Sequence, residues 1–398
     1  MTEIVTIYHN FCDFAHFYVV ILGDCGKLHS KLRSVRTLRC GGHRCSPLAR
    51  RSSKVTEYVF ELRTDAPDQR RRSVPAYLRD WKGSDDRRWQ IAALIEAISR
   101  GGQALAVRIA RGAVPGDLSA LSGVNSDGDD QKALDVESHD LFVSLLLKAG
   151  ATNVLSEEAD LPVKSGRDEG YAVAIDPLDG SGNVGLGAPL GTFFSIIPEG
   201  PGVDPFTRPG NDIVAAGYVS YGNSLDIAFS VGNGLVLATY DPVDTQFVIL
   251  DENAMVKPDT AELAFNASVR SYTEEGVSFY LADCMAGVGG PRGKNFNMRW
   301  LGAAVGELHR IVRRGGIFLY VGDDRPGYAT GRLRHLYEAN PIAFLMQQAG
   351  GAATDGTRPI LSKAVASYHS RTPLVFGSIN EVNKLSQYIH ESRAGKEV

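Results

Sequence analysis

Long apolar runs are missing from this chain of 398 residues. The best candidate covers only Phe14 to Leu22, follows Asp13 and contains His16, whereas a membrane span needs roughly 18 consecutive apolar residues. No Lys or Arg precedes that stretch, so it also lacks the basic start of a secretory leader. A membrane or exported protein is therefore not expected, and a cytoplasmic location is. Cysteine is scarce: Cys12, Cys25, Cys40 and Cys45 lie near the start and Cys284 stands alone in the rest. That is no disulfide framework and suits a reducing compartment. Excess positive charge is absent too, with a net of −4. Residues 1–26 carry three acids and no base, and residues 27–72 carry 13 Lys or Arg against 4 acids, so the remainder holds −10. An acidic body argues against a nucleic-acid partner and suits a protein that collects cations. What is present is ordinary: 43% apolar and 22% charged residues, in the range of globular proteins and long enough for two to three domains.

Residues 1–72 read differently from the rest. They lack sustained periodicity and end in Arg70-Arg71-Arg72. A disordered or mis-started basic extension competes with an Arg-rich transit peptide, which Glu3 and Asp13 disfavour. A third reading is a zinc site from Cys25, His29, Cys40, His43 and Cys45, whose spacing fits no usual ligand grammar. Methionine is absent between Met1 and Met255, which leaves Val74 as a candidate internal start. The extension is expected to be dispensable.

From Arg87 the pattern becomes regular. Trp89, Ile91, Leu94, Ile95, Ile98, Leu105 and Ile109 recur at helical spacing, weakened by Gly101-Gly102. A second helix carries Leu141, Phe142, Leu145 and Leu146 and stops at Gly150. Strands are predicted at 152–155, 171–175 and 192–197, then an antiparallel stretch at 213–219, 226–230, 234–240 and 247–250. Beyond Met255, helices at 300–312, 342–348 and 381–389 alternate with strands at 317–320 and 374–376. Asn340-Pro341 predicts a helix opening with Asn340 as cap. The expectation is two mixed α/β domains, residues 73–255 and 256–398, after the atypical segment 1–72.

Certain carboxylates sit where surface charge does not belong. Asp176-Pro177-Leu178-Asp179-Gly180-Ser181 follows an apolar strand, and Pro177 predicts a turn that brings Asp176 and Asp179 together. Two such carboxylates repel unless a cation lies between them. Oxygen ligands of this kind, with the Leu178 carbonyl, suit Mg²⁺ or Mn²⁺. Gly180 then lets successive N–H groups approach an anion. Ser156-Glu157-Glu158 repeats the strand-end pattern, and alternation on extended backbone predicts different tasks for the two glutamates. The Gly- and Asp-rich stretch Asn125 to Asp130, with Asp135 after it, reads as a mobile loop, in which Asp127 and Asp130 are plain solvated groups. Glu338 precedes the Asn340 helix opening, where simple capping is the bland explanation. Arg299, Tyr320, Arg332 and Arg334 are singly surface or interface groups but together could cradle a doubly phosphorylated anion.

In order, NSDGDDQKALDV (125–136), LSEE (155–158), DPLDGS (176–181), NMRWLG (297–302), GGIFLY (315–320) and GRLRHLYEANP (331–341) resemble class I fructose-1,6-bisphosphatases, in wording nearest those of bacterial Calvin-cycle operons. The resemblance starts near residue 75. It implies a layered α-β-α-β-α sugar-phosphatase fold of two α/β subdomains and Mg²⁺-dependent removal of the 1-phosphate of fructose 1,6-bisphosphate, a step of gluconeogenesis and the Calvin cycle. Two to three Mg²⁺ per site are implied, with Mn²⁺ able to substitute, and sedoheptulose 1,7-bisphosphate is a second candidate substrate. Glu157, Asp176, the Leu178 carbonyl, Asp179 and Glu338 correspond to metal ligands. Asp129, Asp135 and Glu158 correspond to the groups that prepare the attacking water. Asp179 and the backbone of Gly180, Ser181 and Gly182 would hold the scissile phosphate. Asn266, Tyr320 and Arg332 would meet the sugar and its distal phosphate, and Arg299 would reach across a subunit interface, implying a homotetramer.

This chain also departs from the family wording. Gly182 stands where Ser is usual, Gly185 where Asp often follows, Trp300 for a Tyr, Arg332 for a Lys and Gly170 for a Lys. The segment of AMP-inhibited members has no counterpart near Arg87–Arg111, so weak AMP inhibition is expected. Two rival readings are an inositol or nucleotide phosphatase, whose late Trp-Asp metal carboxylate is missing here, and a catalytically weak binding homologue.

Overall fold

The structure, a computed structural model, describes residues 21–22, 57–58, 71–124, 130–200 and 202–395. The chain divides into two compact units, Met1–Arg70 and Arg71–Val398. In the first, the described residues are β1 (Ile21–Leu22) and β2 (Glu57–Tyr58), an antiparallel pair. The cysteine–histidine cluster considered for zinc lies outside the described residues, as does Asp129.

The second unit begins with α1 (Val74–Lys82) and α2 (Asp86–Ala110). Ser73 caps α1 by accepting the Ala76 N–H, and Asp85 caps α2. The Gly101-Gly102 pair does not interrupt α2. A Cβ at Gly101 would stand 2.5 Å from the Phe142 ring and one at Gly102 3.0 Å from Val219, so close packing explains two glycines that each cost about 1 kcal/mol in a helix. Strands β3 (Leu121–Val124) and β4 (Asp130–Lys132) pair antiparallel and lead into α3 (Ala133–Ala149).

Eight strands form the larger sheet: β5 (Asn153–Ser156), β6 (Val163–Lys164), β7 (Tyr171–Asp179), β8 (Leu190–Pro198), β9 (Ala215–Tyr221), β10 (Leu225–Ser230), β11 (Val236–Asp241) and β12 (Gln246–Asp251). Their order is β12-β11-β10-β9-β8-β7-β5-β6, antiparallel except for the β5–β7 pair. The smaller sheet holds β13 (Glu262–Phe265), β14 (Asn297–Met298), β15 (Ile317–Tyr320), β17 (Ala352–Thr354) and β19 (Leu374–Gly377) in the order β14-β13-β15-β19-β17. The short strands β16 (Leu333–Arg334) and β18 (Arg371–Thr372) pair separately. The remaining helices are α4 (Glu275–Met285), α5 (Ala304–Arg314), α6 (Asn340–Gln348) and α7 (Ile379–Ala394).

Alternation along the strands sets the layers. Val173, Ile175, Phe194 and Val219 point to one side of the large sheet and pack with α1, α2 and α3. Ala172, Ala174, Phe193 and Tyr218 point to the other, where Val305, Leu308 and Ile311 of α5 and Ile342 and Leu345 of α6 meet them. Phe318 and Phe376 of the small sheet close that core from its far side, while Leu263, Ile317, Leu319 and Val375 face α4 and α7. The result is the expected α-β-α-β-α stack of mixed α/β character. No described helix is long and apolar enough to cross a membrane.

Three local expectations are corrected. Residues 176–179 do not turn: β7 runs on to Asp179 with a register shift against β8 between Asp176 and Asp179, a β-bulge rather than a reversal. Asn340 is helical rather than a cap, because the helix starts earlier as a π turn over His335–Ala339, with the Asn340 N–H bonded to the His335 carbonyl. Pro341 has no N–H for the usual bond, which favours the wider turn. Finally, α5 begins at Ala304 rather than at Trp300, since Gly302 at φ +73° breaks the helical path.

Candidate metal and phosphate site

The bulge in β7 does what a turn was expected to do. An extra residue in the strand puts Asp176 and Asp179 on the same side, and Leu178 N–H donates to Asp176 Oδ1 at 2.9 Å. The π turn delivers Glu338 to the same place: carboxylate oxygens of Asp176, Asp179 and Glu338 all lie within 4.8 Å of one another, and all three residues are buried. Glu338 is thus not a solvated capping group.

Burial is the first cause of what these carboxyls do. It raises Asp176 well above the ordinary carboxylate range, helped by the negative charge of Glu157, Asp179 and Glu338. Glu338 is likewise well raised, by burial and then by Glu157 and Asp179, against the pull of the Arg334 N–H. Asp179 rises to about 7. Its Oδ2 accepts the Val305 N–H at 2.8 Å, in the first turn of α5, which restrains the rise. Three buried carboxyls this close together are costly as anions, and a hard divalent cation is the partner that would keep all three ionised. On this observation the residues present fit a hard divalent cation.

Glu157 follows the carboxyl end of β5, Asp176 lies at the bulge of the neighbouring parallel strand β7, and the Glu157 N–H bonds to the Ile175 carbonyl at 3.0 Å. Both glutamates of the Ser156-Glu157-Glu158 segment lie in a turn, not on extended backbone as strand alternation presumed. Glu157 faces Arg334, whose Nε stands 3.1 Å from Oε1, and the Glu158 N–H donates to Ser156 Oγ at 3.3 Å. Arg334 is a second correction: it is buried at 4% exposure, not a surface or interface group.

Beyond Asp179, Gly180 takes φ +78° and opens the short 3₁₀ turn Ser181–Asn183. A Cβ at Gly180 would come within 2.8 Å of the Ala303 Cβ, so only glycine fits. A turn of this kind can offer successive N–H groups to an anion, although the Asn183 N–H is already bonded to the Gly180 carbonyl at 2.7 Å. Sequence reasoning missed Lys132, whose ammonium donates to the Ser181 carbonyl at 2.6 Å. Its position inside the 125–136 motif was the available signal. The same residue's N–H donates to Asp135 Oδ2 at 2.7 Å, while the buried Asp135 Oδ1 has no hydrogen-bond partner among the described residues and burial raises the carboxyl.

At the other sheet, Asn266 follows β13 and Tyr320 ends the adjacent parallel strand β15. Asn266 Oδ1 accepts from Ser268, leaving its amide as a donor. Tyr320 is half-buried, and its hydroxyl is raised by burial and drawn down by Arg332. Arg332 lies 4.8 Å over the Tyr328 ring. Trp300 stacks flat on Phe318 at 5.6 Å and meets Tyr320 edge-on at 6.0 Å. Arg299 is outside this group within one chain; it is exposed, with Glu262 3.6 Å away.

Comparison with known proteins identifies the family. A family model described as fructose-1-6-bisphosphatase, N-terminal domain, matches residues 79–252, and its C-terminal counterpart matches residues 256–390. The class 1 fructose-1,6-bisphosphatase of Brucella suis is 58% identical over 316 residues, 79% of this chain and 93% of the relative. That of Brucella anthropi is equally similar over the same shares. The crystal structure of Leishmania major fructose-1,6-bisphosphatase in holo form superposes with a TM-score of 0.75 at 26% identity, covering 80% of this chain and 99% of that one. With both family models matched and more than half of the aligned residues identical to a class 1 relative, the chain belongs to the fructose-1,6-bisphosphatase family.

Proposed function

We propose that this chain hydrolyses the 1-phosphate of fructose 1,6-bisphosphate, releasing fructose 6-phosphate and phosphate, with Mg²⁺ as its working cation. The observation that carries the reading is the set of three buried carboxylates within 4.8 Å, two of them immediately ahead of the tight turn that opens at Gly180. Bound divalent ions supply charge neutralisation at the phosphoryl oxygens and a more acidic water. Asp176, Asp179, Glu338, Glu157 and the Leu178 carbonyl are the groups that would hold them, two to three per site, with Mn²⁺ an acceptable substitute.

The rest falls to this chain's own residues. Backbone N–H groups of Gly180, Ser181 and Gly182 orient the scissile phosphate. Asp135, whose Oδ1 has no hydrogen-bond partner among the described residues, takes the proton of the attacking water, together with Glu158 and Asp129. The phosphorus–oxygen bond to C1 breaks as the water oxygen adds, and the leaving alkoxide collects a proton. Asn266, Tyr320 and Arg332 receive the sugar and its distal phosphate, and Arg299 serves a neighbouring subunit, which makes a homotetramer the working form in the cytoplasm.

Phosphate release decides the matter. Chelator-treated protein is assayed with fructose 1,6-bisphosphate, sedoheptulose 1,7-bisphosphate and inositol 1-phosphate, with and without Mg²⁺ or Mn²⁺. The expected result is metal-dependent hydrolysis of the ketose bisphosphates. A preference for inositol 1-phosphate, or turnover without added metal, would overturn it.

A further inference from the structure

Glu307 is the one acid of α5, and it is wholly buried. A carboxylate there must be paired and hydrogen-bonded to be tolerated. Arg310 supplies the charge, its Nε 3.0 Å and its Nη2 2.9 Å from Glu307 Oε2. The other oxygen looks elsewhere: Glu307 Oε1 accepts the Leu301 N–H at 2.7 Å. That bond closes the non-helical strip between β14 and α5, which holds Arg299, Trp300, Leu301 and Gly302. The strip's other end is tied by the Arg299 N–H to the Leu263 carbonyl at 2.8 Å. Glu262 extends the network, 2.6 Å from Arg310, 2.6 Å from Arg314 and 3.6 Å from Arg299.

The same helix reaches the other end of the site, because Val305 N–H holds Asp179. Only Gly306 separates the backbone that fixes a buried carboxylate from the side chain that fixes the aromatic strip.

We infer that Glu307 is a positioning residue for recognition of the sugar's distal end, holding Trp300 beside Tyr320 in its own chain's site and Arg299 toward the neighbouring subunit's site through the Leu301 amide. The inference rests on the assignment of Tyr320, Arg332 and Arg299 to that end. Losing the acceptor leaves the Leu301 N–H unpaired and lets the strip swing, which loosens binding of a bisphosphate but leaves the phosphoryl chemistry alone.

Four proteins test it: wild type, Glu307→Gln, Glu307→Met, and Glu307→Met combined with Arg310→Met. The double variant removes both charges, a change that buried pairs often tolerate, and stands in should the single Met variant fail to fold. Steady-state constants are measured with fructose 1,6-bisphosphate and with fructose 1-phosphate, which lacks the distal group, and amide exchange is followed in the peptide through Leu301. Glu307→Met, or the double variant, should raise KM for the bisphosphate by about tenfold, the scale of one unmade buried hydrogen bond. Turnover and KM for fructose 1-phosphate should hold, and the Leu301 amide should exchange faster. Glu307→Gln keeps an acceptor and should keep both the protection and the low KM. An unchanged KM in the Met variants, or an equal loss with both substrates, removes the role of Glu307. A wild-type enzyme that does not distinguish the two substrates would instead sink the sugar-end assignment, and this inference with it.

Discussion

Asp179→Asn offers a direct measure of how the carboxylate cluster is held. Burial and the neighbouring Glu157 charge push the wild-type carboxyl up to about 7, against an ordinary value of 3.8. A group raised on folding contributes stability below its unfolded pKa, and that contribution is lost as pH climbs through the folded one. For Asp179 the window runs from pH 4 to pH 7. At 1.36 kcal/mol per pKa unit the difference is on the order of 4 kcal/mol across it. Asn keeps an oxygen for the Val305 N–H and carries no charge, so it escapes this loss. Chelator-treated variant and wild type should therefore melt together at pH 4, and the variant should melt higher at pH 8. Adding Mg²⁺ should reverse the order at pH 8, raising the wild-type Tm and barely moving the variant. Turnover should fall by about 10²–10³ in the variant. Thermal melts at the two pH values, with and without Mg²⁺, decide it. Equal metal-free melting temperatures at pH 8 would refute the claim that repulsion and burial strain this cluster.

Arg299→Ala should weaken substrate binding, and mixing it with inactive Glu338→Gln protein should regenerate some activity if Arg299 crosses between subunits; no recovery in mixed oligomers would place each site within one chain. Gly182→Ser should be accepted without loss of Tm, because a Cβ there meets nothing within 4 Å, and the added hydroxyl should lower KM; a melting loss above a few degrees would contradict the open geometry. Removal of residues 1–70 should leave activity unchanged. Starting instead at Val74 also removes the Ser73 cap of α1 and the bond from the Ile249 N–H to the Arg72 carbonyl. That shorter form should be less stable by about 1–2 kcal/mol in denaturant titration, and equal stability of the two truncations would argue that these edge contacts add nothing.

Much of the site was legible because its residues cluster at strand ends. Asp176, Asp179 and Glu157 each follow an apolar run whose composition demands burial, and a carboxylate fixed there has few ordinary explanations. The smaller elements were readable for the same reason: Ile317–Tyr320 and Leu374–Gly377 are short, branched and aromatic, with no competing helical period. What could not be read depends on contacts distant in sequence. Gly101 and Gly102 look like helix breakers until Phe142 and Val219 are seen to occupy the space. Arg334 looks like a surface group because nothing local reveals that Glu157, 177 positions away, is its partner.

The π turn shows how a local rule can give the right site for the wrong reason. Asn340-Pro341 has the composition of a helix start, and Pro341 was read as the first helical residue. The same missing N–H that suits Pro to a helix start also permits a wider turn when helical backbone already precedes it. Which outcome prevails is decided by Leu336, Tyr337 and Ala339, all buried in the central layer, since ending the helix at Asn340 would pull them out of that core. Packing therefore keeps the preceding turn wound, and the widened turn carries Glu338 to Asp176 and Asp179. A carboxylate placed this way is held by the burial of its neighbours rather than by a cap, so shortening Leu336 should disturb metal affinity although that side chain bears no ligand atom. Mg²⁺ titration of Leu336→Ala tests this: about a tenfold weaker affinity is expected, in proportion to the cavity it opens, and unchanged affinity would mean that the turn is fixed by its own backbone bonds alone.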